Sequence, residues 1–266
     1  MQRATKRRRM LRRGASLLAL VVFVVLIVVL VGSNGGHKKS AAKSSSTTTT
    51  TTTTTALQSA AVAPTCPSGH ERKRLVWFTK APPNCIGKSS VWEATFNTTA
   101  GKFVISLPAA RSYAAVNNFV FLARWNYYND TYFHRVIPGF VVQGGDPTGT
   151  GYGGPHHYPG YQFTGNYPPL SCKTKPQGPL CYAPGDFVMA NSNPNPQSQN
   201  ASTDGSQFFI VLPGGQKVLN GEPTYTIFGK VISGMSVVEQ IGKDGSASGT
   251  PNVKVDVKSV TVRQVS

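Results

Sequence analysis

Hydrophobic and polar positions divide the 266-residue chain into stretches of different character. From Leu17 to Val31, fifteen residues in a row are apolar. From Ser33 to about Pro64 little is apolar, and nine consecutive threonines, Thr47–Thr55, fill the middle. Beyond residue 90 short alternating runs take over. In Val91–Asn97, the residues Trp92, Ala94 and Phe96 share one face of a strand. Thr98–Gly101 supplies a turn, and Phe103, Ile105 and Leu107 repeat the alternation, predicting a hairpin that Pro108 ends. Val116, Phe119, Val120 and Ala123 follow the i, i+3, i+4, i+7 spacing of one buried helix face. That helix is predicted from Ser112, its candidate cap, to about Trp125. Further strands are predicted at Asp186–Ala190, Gln207–Leu212 and Tyr225–Val231, with a short helix at Met235–Ile241. The last strand, Asn252–Val262, has buried positions 253, 255 and 257, then 260 and 262. This phase slip predicts a bulge near Lys258-Ser259.

The pattern amounts to seven or eight short strands, two helices and long loops. Antiparallel strands must protect their edges, and closing into a barrel capped by helices is one solution. Pro147–Pro159 is a glycine-rich loop without the lysine of a phosphate cradle. Tyr161–Gly185 carries five prolines and is mostly loop. Asn191–Ser206 is polar, but its flanking strands make it a structured connection. Cys66–Ser90 is a polar extension expected to pack on the domain edge.

Charge changes the picture mainly at the start of the chain. Residues 1–13 hold seven basic residues, and no acidic residue precedes residue 71. The formal charge of +17 therefore divides into about +10 before residue 56 and about +7 after it. A basic start followed by a 15-residue apolar run reads as a membrane signal-anchor helix over residues 14–32. No small-residue cleavage pattern follows it, which favours retention over cleavage. Seven basic residues before the span against three soon after it place residues 1–13 in the cytoplasm. Release as a secreted domain after signal cleavage stays open. Residues 33–65 then form a Ser/Thr-rich disordered linker, 66–90 a disulfide-closed extension, and 91–266 the folded domain. The mildly basic downstream part has no nucleic-acid motif, so no nucleic-acid partner is expected. Cys66, Cys85, Cys172 and Cys181 all lie beyond the span. They read best as two disulfides, neighbour pairing being the simplest of three connectivities. Their spacing does not suit zinc, and neither a metal nor a cofactor is expected.

The chemistry concentrates in Phe133-His134-Arg135-Val136-Ile137-Pro138-Gly139-Phe140-Val141-Val142-Gln143-Gly144-Gly145-Asp146. This stretch resembles the central motif of the cyclophilins, a family of peptidyl-prolyl isomerases. Four further segments resemble that family in order and approximate spacing. They are Val116-Asn117-Asn118-Phe119, Phe187–Ser192 (F-V-M-A-N-S), Gly205–Ile210 (G-S-Q-F-F-I) and Thr226–Val231 (T-I-F-G-K-V). The resemblance covers about residues 91–263. It implies a closed eight-stranded antiparallel barrel capped by two helices. It places the catalytic arginine on Arg135. Substrate-binding positions fall on His134, Phe140, Val141, Gln143, Ala190, Asn191, Gln207, Phe209, Leu219 and Tyr225. Three departures stand out. Val141 replaces a methionine common in the family, Val218 stands where a tryptophan is often found, and Tyr225 replaces a histidine. Glu222-Pro223 also carries an insertion.

The implied reaction is cis-trans isomerisation of X-Pro bonds, assisting the folding of proteins beyond the membrane. Its barrier is amide resonance, about 18–20 kcal/mol. No nucleophile is needed, only tighter binding of the twisted amide than of either planar form. A fixed guanidinium can donate a hydrogen bond to the imide nitrogen as that nitrogen regains its lone pair. The expected partners are proline-containing polypeptides and cyclic peptide inhibitors of the cyclosporin type. A proline-binding module or holdase without catalysis is the alternative reading.

Overall fold

The computed structural model describes residues 62–155, 161–168, 170–192 and 204–266, all within one compact unit, Ala56–Ser266. The expected cytoplasmic segment, membrane helix and nearly all of the linker lie outside the described residues, as does most of the connection between 191 and 206. Among the described residues nine strands are formed: β1 Val91–Thr98, β2 Gly101–Pro108, β3 Thr131–Tyr132, β4 Arg135–Ile137, β5 Val141–Gly144, β6 Asp186–Met189, β7 Phe208–Val211, β8 Ile227–Ser233 and β9 Asp256–Gln264. Three α-helices accompany them: α1 Tyr113–Arg124, α2 Gly215–Leu219 and α3 Met235–Lys243. The nine strands form a single sheet in the order β3-β9-β1-β2-β8-β6-β7-β5-β4, every pairing antiparallel.

The sheet is curled, and its count corrects the expected eight. The strands beyond those predicted are short: β3 has two residues, and the Phe133–Asp146 stretch supplies the β4–β5 hairpin. The two end strands, β3 and β4, follow one another in the chain. The backbone of β4 is covered by a loop: Val136 N–H donates to Gly249 O at 2.8 Å, and Ser246 N–H donates to Val136 O at 3.2 Å. Edge groups are thereby satisfied without another strand. The predicted bulge is present. Asn97 pairs with Ser259 and Thr98 with Val257, so Lys258 is skipped.

Helix α1 departs from its expected single buried face. Every residue from Ala115 to Ala123 is buried. The reason is the extension, which lies across the helix rather than on the domain edge. The Cys66–Cys85 disulfide closes it. Asn117 reads its backbone twice, accepting from Cys85 N–H at 2.7 Å and donating to Pro83 O at 2.9 Å. Phe78, 1% exposed, sets its ring edge-on to Phe121 at 5.0 Å. Helix α1 is thus sandwiched between extension and sheet, which removes the need for a polar face. Ser112 occupies the N-cap with extended backbone, but its side chain makes no capping bond. The five-residue α2 was not foreseen. One turn is too short to show a helical period.

Strand alternation separates two apolar clusters. Val136, Val142, Phe187, Phe208 and Ile210 point into the main core under α1. Val141, Val188, Phe209, Val211 and Ile227 point the other way, into a smaller cluster with Tyr182 and Leu219. This explains why Phe187–Met189 and β7 read as unbroken apolar runs: both of their faces are covered.

Candidate active site

Ladder register builds one wall of the site. Arg135 is directly opposite Gln143, Gln143 opposite Phe209, and Phe209 opposite Val188. Directly paired residues project to the same face, so these side chains form a row across four strands. The turn between β4 and β5 carries Phe140 beside them. A cavity of about 280 Å³ opens there, lined by Arg135, Phe140, Val141, Gln143, Ala190, Asn191, Phe209, Leu219 and Tyr225. Nine of the eleven residues expected at the site therefore converge on a single cavity.

The other two are placed differently. Gln207 belongs to a neighbouring cavity of about 460 Å³ that shares Gln143, Ala190 and Asn191 with the first. His134 lines neither cavity. Its ring nitrogens are enclosed without hydrogen-bond partners among the described residues. Burial lowers its pKa, against the opposing pull of Asp146. The second cavity is also lined by Gly151–Pro155, Tyr161 and Gln162, none of them foreseen. These are loop positions without periodicity, and only their three-dimensional convergence marks them.

Arg135 makes no salt bridge among the described residues. Its guanidinium lies 5.9 Å from the Phe140 ring centroid and donates through Nη1 to Gln143 Oε1 at 3.2 Å. Burial lowers its pKa while Tyr225 opposes the shift, yet a guanidinium stays protonated in a protein. The positive charge is therefore held by a neutral amide over an apolar floor, uncompensated by any carboxylate.

Gln143 is aligned in turn. Its Nε2 donates to Gln207 Oε1 at 3.1 Å, and Gln207 Nε2 donates to the carbonyls of Gly151 and Gly153 at 2.8 and 2.9 Å. The buried Asp146 carboxylate holds that glycine loop in place. It accepts from the backbone N–H groups of Thr148 (2.7 Å), Gly151 (2.7 Å) and Gly153 (3.0 Å) and from the Thr148 hydroxyl (2.8 Å). Burial alone would raise its pKa, but these donors outweigh it and hold the carboxyl below its ordinary value. Asp146 thus orders the turn, and the turn orders the two glutamines behind the arginine. Gly145 has φ +86°, and a Cβ there would come within 2.5 Å of Ser206 O, so the approach of β5 to that segment requires glycine.

Leu219 and Tyr225 form the opposite wall. Tyr225 meets Phe209 edge-on at 5.4 Å, and Asn191 Nδ2 donates to Thr224 O at 3.0 Å. Val218, where the family often has tryptophan, is 58% exposed and leaves this rim open.

Comparisons with known proteins identify the family. Residues 94–262 match the family model described as "Cyclophilin type peptidyl-prolyl cis-trans isomerase/CLD". The chain belongs to this family and is a peptidyl-prolyl cis-trans isomerase of the cyclophilin type. "Peptidyl-prolyl cis-trans isomerase-like 1" of Aspergillus niger is 42% identical over 56% of this chain and 81% of its own length. The protein of the same name from Gibberella zeae is 39% identical over 63% of this chain and 91% of its own. A crystal structure of a Cryptosporidium parvum cyclophilin type peptidyl-prolyl cis-trans isomerase covers 65% of this chain and 98% of that one, with 26% identity and a TM-score of 0.49.

Proposed function

We propose that Arg135 is the catalytic residue, that the 280 Å³ cavity seats the proline ring of a client, and that the clients lie beyond a membrane. Phe140, Val141, Phe209 and Leu219 supply the apolar seat. Gln143 and Asn191 hold the substrate backbone, and client residues flanking the proline reach the second cavity. The observation that carries this reading is the state of Arg135: charged, half-buried, tethered to a neutral amide and free of any carboxylate partner among the described residues. Its donors are spare for the imide nitrogen when the amide twists, and they are oriented before substrate arrives. Cyclic peptides of the cyclosporin type are expected to compete for the same cavity. The curled sheet is read as a barrel whose end strands meet through Phe133-His134.

The experiment is a coupled proline-peptide assay on the purified chain. Arg135→Ala is expected to lower kcat/KM by about 10²–10³, the usual cost of one oriented donor at a developing lone pair. Wild type and variant at equal, uncatalysed rates would show a proline-binding module instead.

Residues 1–32 and the two disulfides, which suit an oxidising compartment, support placement outside the cytoplasm behind a retained anchor. Full-mass protein in the membrane fraction, with an isomerase domain open to external protease in spheroplasts, is the expected result. Soluble protein starting near Gly32 would show a cleaved signal.

A further inference from the structure

The Leu219–Tyr225 wall has no strand ladder to set it, yet it is pinned at both ends by one residue outside the cavity. Tyr182 is 2% exposed and packs in the cluster directly beneath the pocket. Its backbone N–H donates to Asn220 Oδ1 at 2.9 Å, and Asn220 Nδ2 donates back to Tyr182 O at 3.1 Å. Its hydroxyl donates to Tyr225 O at 2.7 Å and accepts from Tyr225 N–H at 2.8 Å. Asn220 directly follows Leu219 at the end of α2. One tyrosine therefore closes the 220–225 loop with four hydrogen bonds and fixes the residues that present Leu219 and the Tyr225 ring. The same loop offers Thr224 O to the pocket residue Asn191.

Tyr182 is itself anchored on both sides. Cys181, the residue before it, is bridged to Cys172. Ala183, the residue after it, donates its N–H to Asp186 Oδ2 at 2.8 Å where β6 begins. Burial pushes the phenol pKa far up, so the hydroxyl stays available both to donate and to accept at any working pH.

We propose that Tyr182 is a positioning residue for the proline pocket, and that the Cys172–Cys181-closed insertion holds it under the rim. This rests on the reading of the cavity as the proline site. Tyr182 touches no substrate in that reading. It acts through Leu219, Tyr225 and Asn191, which bind the client, and not through Arg135, which stands on the other wall. Its loss is therefore expected to appear in KM and to leave kcat nearly unchanged.

The test is Tyr182→Phe in the full chain with both disulfides intact. The ring keeps its packing, and only the two hydroxyl bonds to Tyr225 are lost. KM for a proline peptide is expected to rise about five- to tenfold, the scale of one or two buried hydrogen bonds, with kcat within about twofold of wild type. Measurement at 10 °C, far below the melting transition of the variant, separates this from loss of folded protein. An unchanged KM in folded Tyr182→Phe protein would overturn the proposal. Asn220→Ser serves as a second variant that leaves Tyr182 in place, and its KM is expected to rise in the same direction. An unchanged KM there would equally count against the proposal. Arg135→Ala run alongside separates the two readings. If it abolishes turnover while Tyr182→Phe behaves as wild type, the positioning role fails and the site stands. If Arg135→Ala is itself without effect, the site reading fails first.

Discussion

The two walls of the 280 Å³ cavity are built by different means. The Arg135–Gln143–Phe209 wall is a row of ladder partners, so its spacing is that of the sheet. The Leu219–Tyr225 wall is a helix end and a loop, held by Tyr182 and Asn220 from beneath. Sheet register is set by many cooperative backbone bonds and tolerates little drift. A loop held by four hydrogen bonds can be retuned by changing one side chain. In the proposed reading the catalytic cation stands on the first wall, while Leu219 and Tyr225 add client contacts from the second. That reading assigns the chemistry to the stiffer part and leaves part of the client fit to the more adjustable one.

A buried aspartate stands behind each wall, and the two titrate in opposite directions. Asp146 supports the sheet wall through the glycine loop, and its hydrogen bonds hold its carboxyl below the ordinary range. Asp204 lies behind the loop wall next to Thr226, whose hydroxyl donates to Asp204 Oδ2 at 3.2 Å. Its Oδ1 has no partner among the described residues, and burial pushes its pKa up to about 6.

Arg135→Ala sets the top of the scale of expected effects, and breaking its tether comes next. Gln143→Leu keeps the size of the side chain and removes both amide bonds. It is expected to lower kcat/KM about tenfold, consistent with losing a hydrogen bond to a charged group, while Tyr182→Phe acts on KM. An unchanged kcat/KM in Gln143→Leu would show that the tether does not orient Arg135.

Smaller effects are expected from the aspartates, read as melting temperature against pH. The Asp146 contribution is present above the ordinary carboxylate value near pH 4 and is lost as pH falls through its lowered folded value. Asp146→Asn should destabilise the domain by about 1–3 kcal/mol at pH 7, because backbone donors lose a charged acceptor. Asp204 has the opposite sign. Its folded pKa is raised, so the folded state binds the proton more tightly, and stability falls as pH rises from about 4 to about 6. Asp204→Asn should flatten that fall and stabilise the domain at pH 7 by at most about 3 kcal/mol. Melting curves for the two variants that shift in the same direction at pH 7 would remove the contrast.

Much of the site was legible in the residues. The F-H-R-x-I-P-G-F-x-x-Q-G-G-D stretch, M-A-N and Q-F-F each carry fixed spacing, and strand alternation assigns their side chains to faces. Nine of the positions that the family resemblance implied met at one cavity. His134 could not be placed, because alternation is lost in the two residues between β3 and β4. The second cavity was not legible, since its glycine loop and Tyr161 come together only through Asp146 and the packing of the extension. Tyr182 gave no signal in a proline-rich segment without periodicity.

By itself the sequence determined the longer strands and helices in their order, the neighbour spacing of the cysteines and the bulge at Lys258, while the cavity-facing residues followed from its resemblance to the cyclophilins. The first three are local: they follow from a period of two or 3.6 and from spacing along the chain. Only the tertiary structure decided what covers each face. It buried α1 on all sides under the extension, joined Asp146 to Arg135 through two glutamines, and placed Tyr182 under a wall about forty residues away in the chain. A periodic pattern records that a face is buried, but the partner that buries it comes from elsewhere in the chain, and packing and hydrogen-bond satisfaction select that partner only once the chain has closed on itself.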